Sequence, residues 1–280
     1  IQMREIGKSH EAEPVAIINH PDVRRNLLWM KSYVSGMRSF YQYMDYTYEL
    51  SLSAESETER QMANGLYDLL TPVLKSYLSN RAYEVCVQAM QVFAGAGYTQ
   101  DYLIEQYVRD CRITSIYEGT CGIQAMDLLG RKMGMMEGKG FLTLLDNMRK
   151  TVAAAKTVDG LSKLAVKTEK MVEKLQEVGL FLTDKARSPE FKTAFAHSLP
   201  FLNAIGDTVM AWMLLWRATT ASEKLSGKVK KSDIVFYQGQ VKTAEFYVTT
   251  MANTCIGKMD DILDFSSAAV NIANDEFGGL

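Results

Sequence analysis

Val23, Leu27, Met30, Val34, Met37, Tyr41, Met44 and Tyr48 recur at steps of four and three residues. That spacing places one apolar row along a long helix, whereas a half-buried strand would alternate with period two. Pro21 suits the first turn of such a helix, where a missing N–H costs nothing, and Asn19 or His20 stands near its cap. A helix of this length cannot bury an apolar stripe alone, so it predicts a helical bundle. No segment shows convincing strand alternation. The chain has 280 residues, 47% of them hydrophobic, which is enough for two domains of ordinary size with a substantial core.

The breaks follow local chemistry. Ser53–Ser56 ends the first helix, and a second runs to about Tyr77, with Pro72 as a kink or second start. Ser79-Asn80 is read as the cap of a third helix, Arg81–Phe93. Gly95-Ala96-Gly97 ends that helix, and a short helix follows around Tyr102–Val108. The next helix is expected from Thr120 to about Met133. Gly134, Gly138 and Gly140, with Lys139, mark a domain boundary. Beyond it four helices are predicted: Phe141–Lys156, Asp159–Thr183, Pro189–Leu225 and Ser232–Asn274, with a turn at Ser226-Gly227-Lys228. The expected fold is all-α: two consecutive four-helix-type bundles. Residues 1–20 read as the remnant of a preceding helix and linker, 21–136 as a first bundle, and 137–280 as a second.

The charge balance is close to even, with a formal net charge of -2 and no basic block, which argues against nucleic-acid binding. Cys86, Cys111, Cys121 and Cys255 form no CxxC pair and suggest reduced thiols in a cytoplasmic protein. No apolar run is read as approaching the roughly twenty residues that span a membrane. His10, His20 and His197 are scattered without ligand spacing, so no metal site is predicted. No Ser-His-Asp set, P-loop or dinucleotide fingerprint is present. The start, Ile1-Gln2-Met3-Arg4-Glu5, is neither a signal peptide nor a natural initiation, and reads as the middle of a longer polypeptide.

Ile116-Tyr117-Glu118-Gly119-Thr120 carries the clearest chemistry. A glutamate between an aromatic residue and a glycine, on a turn between two helices, can reach into a cavity. If it is buried there, loss of water disfavours its charged form and raises its pKa toward that of a useful base. A surface loop glutamate is the plainer alternative.

Upstream lie Gln91-Val92-Phe93-Ala94-Gly95-Ala96-Gly97-Tyr98, then Tyr102, Arg109-Asp110 and Ile113; downstream lie Ile123 and Gln124. In order and spacing this resembles the C-terminal helical domain of acyl-CoA dehydrogenases, over about Pro21–Gly134. The second half has Ser198-Leu199-Pro200-Phe201-Leu202-Asn203-Ala204-Ile205-Gly206-Asp207, then Trp212, Trp216, Phe236-Tyr237-Gln238 and Lys242-Thr243-Ala244-Glu245-Phe246-Tyr247. It is similar to the extra C-terminal helical domain of larger bacterial members, related to enzymes for long acyl chains and for 3-methylmercaptopropionyl-CoA.

The resemblance implies an FAD-dependent enzyme that places a double bond between Cα and Cβ of an acyl-CoA thioester. Glu118 would remove the Cα proton, with its own backbone N–H assisting at the thioester carbonyl and Gly119 easing the turn. Tyr117 would line the acyl pocket, although an ordinary core tyrosine is an equal reading. Thr120, at a helix N-terminus suited to anions, would lie near the flavin's pyrophosphate or ribityl chain, and it also serves as a helix cap. Gln91, Val92 and Gly95 match the segment that approaches the adenosine end of a flavin held mainly by the neighbouring subunit; a helix C-cap is the alternative.

Two positions depart from the family pattern. Gly122 stands where many members carry a cofactor-contacting glutamine, and Ala94 replaces a usual glycine. Arg109-Asp110 reads as structural, and Arg4 is a poor match for the family's phosphate-holding arginine. The implied partners are an electron-transfer flavoprotein and further copies of the chain, as a homodimer or homotetramer. An acyl-CoA oxidase and a non-catalytic helical scaffold remain as alternatives, and the chain without its preceding domains is expected to be inactive.

Overall fold

The computed structural model describes residues 4–9 and 11–278; the first three residues of the expected N-terminal remnant, and His10, lie outside them. Among the described residues the regular elements are helices. The long ones are α1 (Pro21–Ser53), α2 (Glu57–Phe93), α6 (Lys139–Lys156), α7 (Ser162–Lys185), α9 (Ser198–Ser226) and α10 (Lys231–Leu263). The short ones are α3 (Gly95–Tyr98), α4 (Ile104–Ile113), α5 (Cys121–Gly130), α8 (Phe191–Ala196) and α11 (Ala268–Asn271).

The ends of α1 and α2 follow the local signals. Pro21 occupies the first turn of α1 with His20 at the cap, and the Ser56 side chain accepts from the Glu59 N–H to cap α2. Three expectations are corrected. The α1 face that is buried runs through Tyr33, Gly36, Phe40, Met44 and Thr47, about one residue round from the predicted row. Tyr41 and Tyr48 are exposed, and of the predicted row only Met44 is fully buried. The helix is apolar on more than one side, and the larger payload of Tyr33 and Phe40 decides which side turns inward. Second, α2 continues unbroken through Pro72 to Phe93. Ser79 donates to the Lys75 carbonyl one turn back and Asn80 donates to Cys121 Sγ, so neither caps a new helix. Third, the predicted helix over 189–225 divides at His197, and the last long helix stops at Leu263. There Phe265 takes a left-handed φ of 51° and packs between Phe181 and His197, with ring centroids 5.2 and 5.6 Å away.

The helices of both halves share one continuous apolar core, from Tyr33 and Leu70 through Leu144 and Leu175 to Ile205 and Met259. Its centre is α9, where every residue from Ala204 to Leu215 is buried. By length and composition α9 is also apolar enough to cross a membrane, which corrects the reading that no run approaches that length. Its most apolar window is 83% buried within the fold, as expected of a helix surrounded by other helices.

One buried charge joins the halves. Asp207 on α9 is fully buried; it accepts from Tyr77 Oη (2.6 Å) and Arg81 Nη2 (3.2 Å) on α2, and from Lys258 Nζ (3.3 Å) on α10. Tyr247 Oη donates to the Asp207 backbone carbonyl at 3.1 Å. The adjacent Gly206 is required by close approach: a Cβ there would stand 2.1 Å from the Tyr77 ring.

Candidate active site

The chain leaves α4 at Ile113 in a tight exit. The N–H groups of Ile116 and Tyr117 both bond the Ile113 carbonyl, and Thr114 and Ser115 fold their hydroxyls back onto Cys111 and Arg112. The backbone then passes through two left-handed residues, Glu118 at φ 53° and Gly119 at φ 91°. For a glutamate this conformation costs energy and needs support from its surroundings. At Gly119 only glycine fits well, since a Cβ would stand 2.8 Å from Gln124 Nε2.

Support for the loop comes from α2 and α5. Lys75 Nζ donates to the Gly119 carbonyl at 2.5 Å and lies 5.9 Å from the centre of the Tyr117 ring. Gln124 Nε2 donates to the Glu118 carbonyl at 3.3 Å. Cys121, the first residue of α5, is tied to α2 by Asn80 and donates toward the Ser115 carbonyl at 3.5 Å.

Thr120 caps α5, its hydroxyl accepting from the Ile123 N–H at 3.4 Å. Among the described residues the backbone N–H groups of Glu118, Cys121 and Gly122 have no hydrogen-bond partner. Those of Cys121 and Gly122 belong to the first turn of α5, where no intrahelical acceptor exists for them. A Cβ at Gly122 would meet only Thr120 Oγ1, at 3.9 Å, so the approach to these donors is open.

The carboxyl group itself is exposed, as are half of Tyr117 and the side chain of Thr120. The buried cavity considered for Glu118 is therefore not closed by the described residues. Tyr117, Glu118, Gly119 and Thr120 lie together on one turn. Gln91, Val92 and Gly95 do not join them. Gln91 and Val92 lie at the far end of α2, at least sixteen residues beyond Lys75, which at about 1.5 Å per residue is roughly 24 Å along the axis, and Gly95 opens α3 just past that end. Ala94 breaks that end with φ 53°, and Gly95–Tyr98 makes one further helical turn rather than an open loop. Arg109 pairs with Glu105 one turn earlier on α4, which leaves it a surface role.

Lys75 was invisible to local sequence reading, because nothing near it marks a lysine aimed at a loop 44 residues away. Asn80 was misplaced for a similar reason: a residue with good capping chemistry is here used for a long-range contact. Trp212 and Trp216 stack at 6.0 Å, Trp212 buried with its indole N–H on Thr151 and Trp216 half exposed.

The fold and loop define an all-helical domain that presents a glutamate and a bare helix N-terminus on one surface. Residues 2–133 match the family described as acyl-CoA dehydrogenase, C-terminal domain, and residues 144–273 match that described as acetyl-CoA dehydrogenase C-terminal like. The chain belongs to the acyl-CoA dehydrogenase family and corresponds to its C-terminal helical part. It is 30% identical over 273 residues to the broad-specificity linear acyl-CoA dehydrogenase FadE5 of Mycobacterium tuberculosis, covering 92% of this chain and 44% of that protein. It is 31% identical over 276 residues to 3-methylmercaptopropionyl-CoA dehydrogenase of Ruegeria pomeroyi, covering 94% and 44%. The solved structure of ACDH-11 from Caenorhabditis elegans, in complex with C11-CoA, shares the fold with a TM-score of 0.71 at 18% identity, covering 93% of this chain and 42% of that one. The chain thus spans less than half the length of these relatives.

Proposed function

We propose that this chain supplies the catalytic base and part of the cofactor-binding surface of an FAD-dependent acyl-CoA dehydrogenase. The observation that carries the reading is the strained Glu118-Gly119 turn, held by Lys75 and placed beside the uncommitted N–H groups at the start of α5. A non-glycine residue in this conformation costs energy, and strained positions of this kind cluster at functional sites.

In this reading the Glu118 carboxylate takes a proton from Cα of the acyl thioester. The Glu118 backbone N–H donates to the thioester carbonyl, where negative charge gathers as the proton leaves. Lys75 fixes the turn so that the carboxylate and this N–H face the same substrate, and Tyr117 borders the acyl chain. The start of α5, with the N–H groups of Cys121 and Gly122 and the Thr120 hydroxyl, suits an anionic portion of FAD. FAD, when bound, supplies the acceptor for the hydride that leaves Cβ.

Gln91, Val92 and Gly95 would serve the flavin of a neighbouring subunit, which accords with their distance along α2 from the Glu118 turn. That arrangement requires a homodimer or homotetramer. Electrons would pass on to an electron-transfer flavoprotein, in the bacterial cytoplasm. The exposure of Glu118 supports the view that the surface covering it is supplied elsewhere in the assembled enzyme, and that this chain alone is inactive.

The test is the visible spectrum of the intact protein before and after anaerobic addition of a medium- or long-chain acyl-CoA. A flavin band that bleaches is the expected result. A flavin-free protein that stays colourless after added FAD would refute the reading.

A further inference from the structure

Between α1, α9 and the start of α10 lies a cavity of about 400 Å³, within the range of small-molecule sites. Its walls are rings: Tyr43, Tyr46, Trp216, Phe236 and Tyr237. The fold leaves Trp216 44% and Phe236 57% exposed. Tyr43, Tyr46 and Trp216 also border a second cavity of about 630 Å³ that continues toward Leu50 and Met62.

Among the described residues Arg217 is the one cation lining the first cavity. Its Nε and Nη2 donate to Gln240 Oε1 at 3.0 and 2.8 Å, and its Nη1 donates to Ser39 Oγ at 2.9 Å. Both partners are neutral. Among the described residues no carboxylate lies within 4 Å of the guanidinium, and burial pulls its pKa below the usual arginine value with nothing opposing. Two other partly enclosed arginines differ: Arg81 has Asp207 and Glu84 as counter-ions, and Arg60 has Glu57. A guanidinium has five N–H donors, so two remain on Arg217, one on each terminal nitrogen. Two donors on a planar cation match the two oxygens of a carboxylate. A doubly charged phosphate would leave charge unbalanced among these rings.

We propose that this cavity binds an organic carboxylate with an apolar chain, its head group on Arg217 and its chain among Tyr43, Tyr46, Trp216 and Phe236. The site shares no residue with the Glu118 turn or with the α2 and α5 side chains that hold it, so it stands independently of the proposed catalytic role.

The test is calorimetric titration of the 280-residue chain with decanoate below its micelle concentration, with decanol as the uncharged match. Decanoate should saturate a single site and quench tryptophan fluorescence, with decanol at least about tenfold weaker. Arg217→Gln should remove most of that preference and leave decanol binding unchanged. Phe236→Glu, at an exposed position that does not threaten folding, should weaken decanoate by placing a like charge in the wall. Equal binding of decanoate and decanol, or decanoate binding indifferent to both variants, would overturn the proposal. So would self-association through this face that decanoate fails to displace.

Discussion

Lys75 Nζ donates a 2.5 Å hydrogen bond to the carbonyl of Gly119, and so pins the turn that carries Glu118 to the middle of α2. The bond crosses from one long helix to a loop whose backbone is also held by Gln124, by Cys121 and by the exit from α4. Replacing Lys75 with Met should free the turn at a stability cost of about 1–2 kcal/mol, the range for a partly solvated bond from a charged donor. Hydrogen exchange of the amides from Ile116 to Gln124 should quicken while the α2 core stays protected. In the intact enzyme kcat should fall with little change in KM. Unchanged exchange in the loop would show that Lys75 does not hold it.

Gly119→Ala tests the same turn from the backbone side. The added methyl meets Gln124 Nε2 at 2.8 Å and sits on a left-handed residue, so destabilisation of about 1–2 kcal/mol is expected. A urea titration reads this directly. Gly122→Ala, where the new methyl finds open space, should cost well under half as much.

Asp207→Asn probes the bridge between the halves. The carboxylate is fully buried among Tyr77, Arg81 and Lys258, and its removal leaves buried positive charge poorly balanced. A loss of about 3–5 kcal/mol is expected. Urea unfolding should stay cooperative in the native chain, because α9 belongs to both halves of the core. A loss below about 1 kcal/mol would mean that the apolar core alone joins them.

Stability should fall in alkali. Burial, reinforced by the charge of Asp207, pushes the Cys255 thiol up to about 12 and holds Tyr77 well above the ordinary tyrosine value; burial does the same for Tyr33 and Tyr247. All four are raised, so the folded state keeps protons that the unfolded state releases. Their contribution is intact below the unfolded thiol value near 9 and is lost as pH rises from there toward the folded values. The urea midpoint should hold up to about pH 9 and drop steadily above it, and Cys255→Ala should flatten the onset of that fall. A flat profile would show that these groups titrate normally in the fold.

What could be read from the sequence was what nearby residues decide. Pro21 and Thr120 mark helix starts through groups that act within a single turn, and both were legible, whereas Ser53–Ser56 read only as a break and the capping role of Ser56 emerges from the fold. The Glu118 loop stood out for the same reason, as a Tyr-Glu-Gly triplet between two helical patterns. What was hidden depends on partners distant in the chain. The buried side of α1 is chosen by what packs against it, and its apolar residues allow more than one answer. α2 continues through Ser79-Asn80, and the partner that occupies the Asn80 side chain, Cys121, lies forty-one residues later. Lys75 and Asp207 look like ordinary surface charges until the helices are assembled around them.

The most direct test of the catalytic assignment is Glu118→Gln in the intact enzyme, mixed anaerobically with acyl-CoA while flavin absorbance is followed. The prediction is a variant that keeps its flavin and still binds acyl-CoA, but whose flavin band no longer bleaches, because the Cα proton has no acceptor. Bleaching at the unmodified rate would contradict the role given to Glu118 and move the base to another residue.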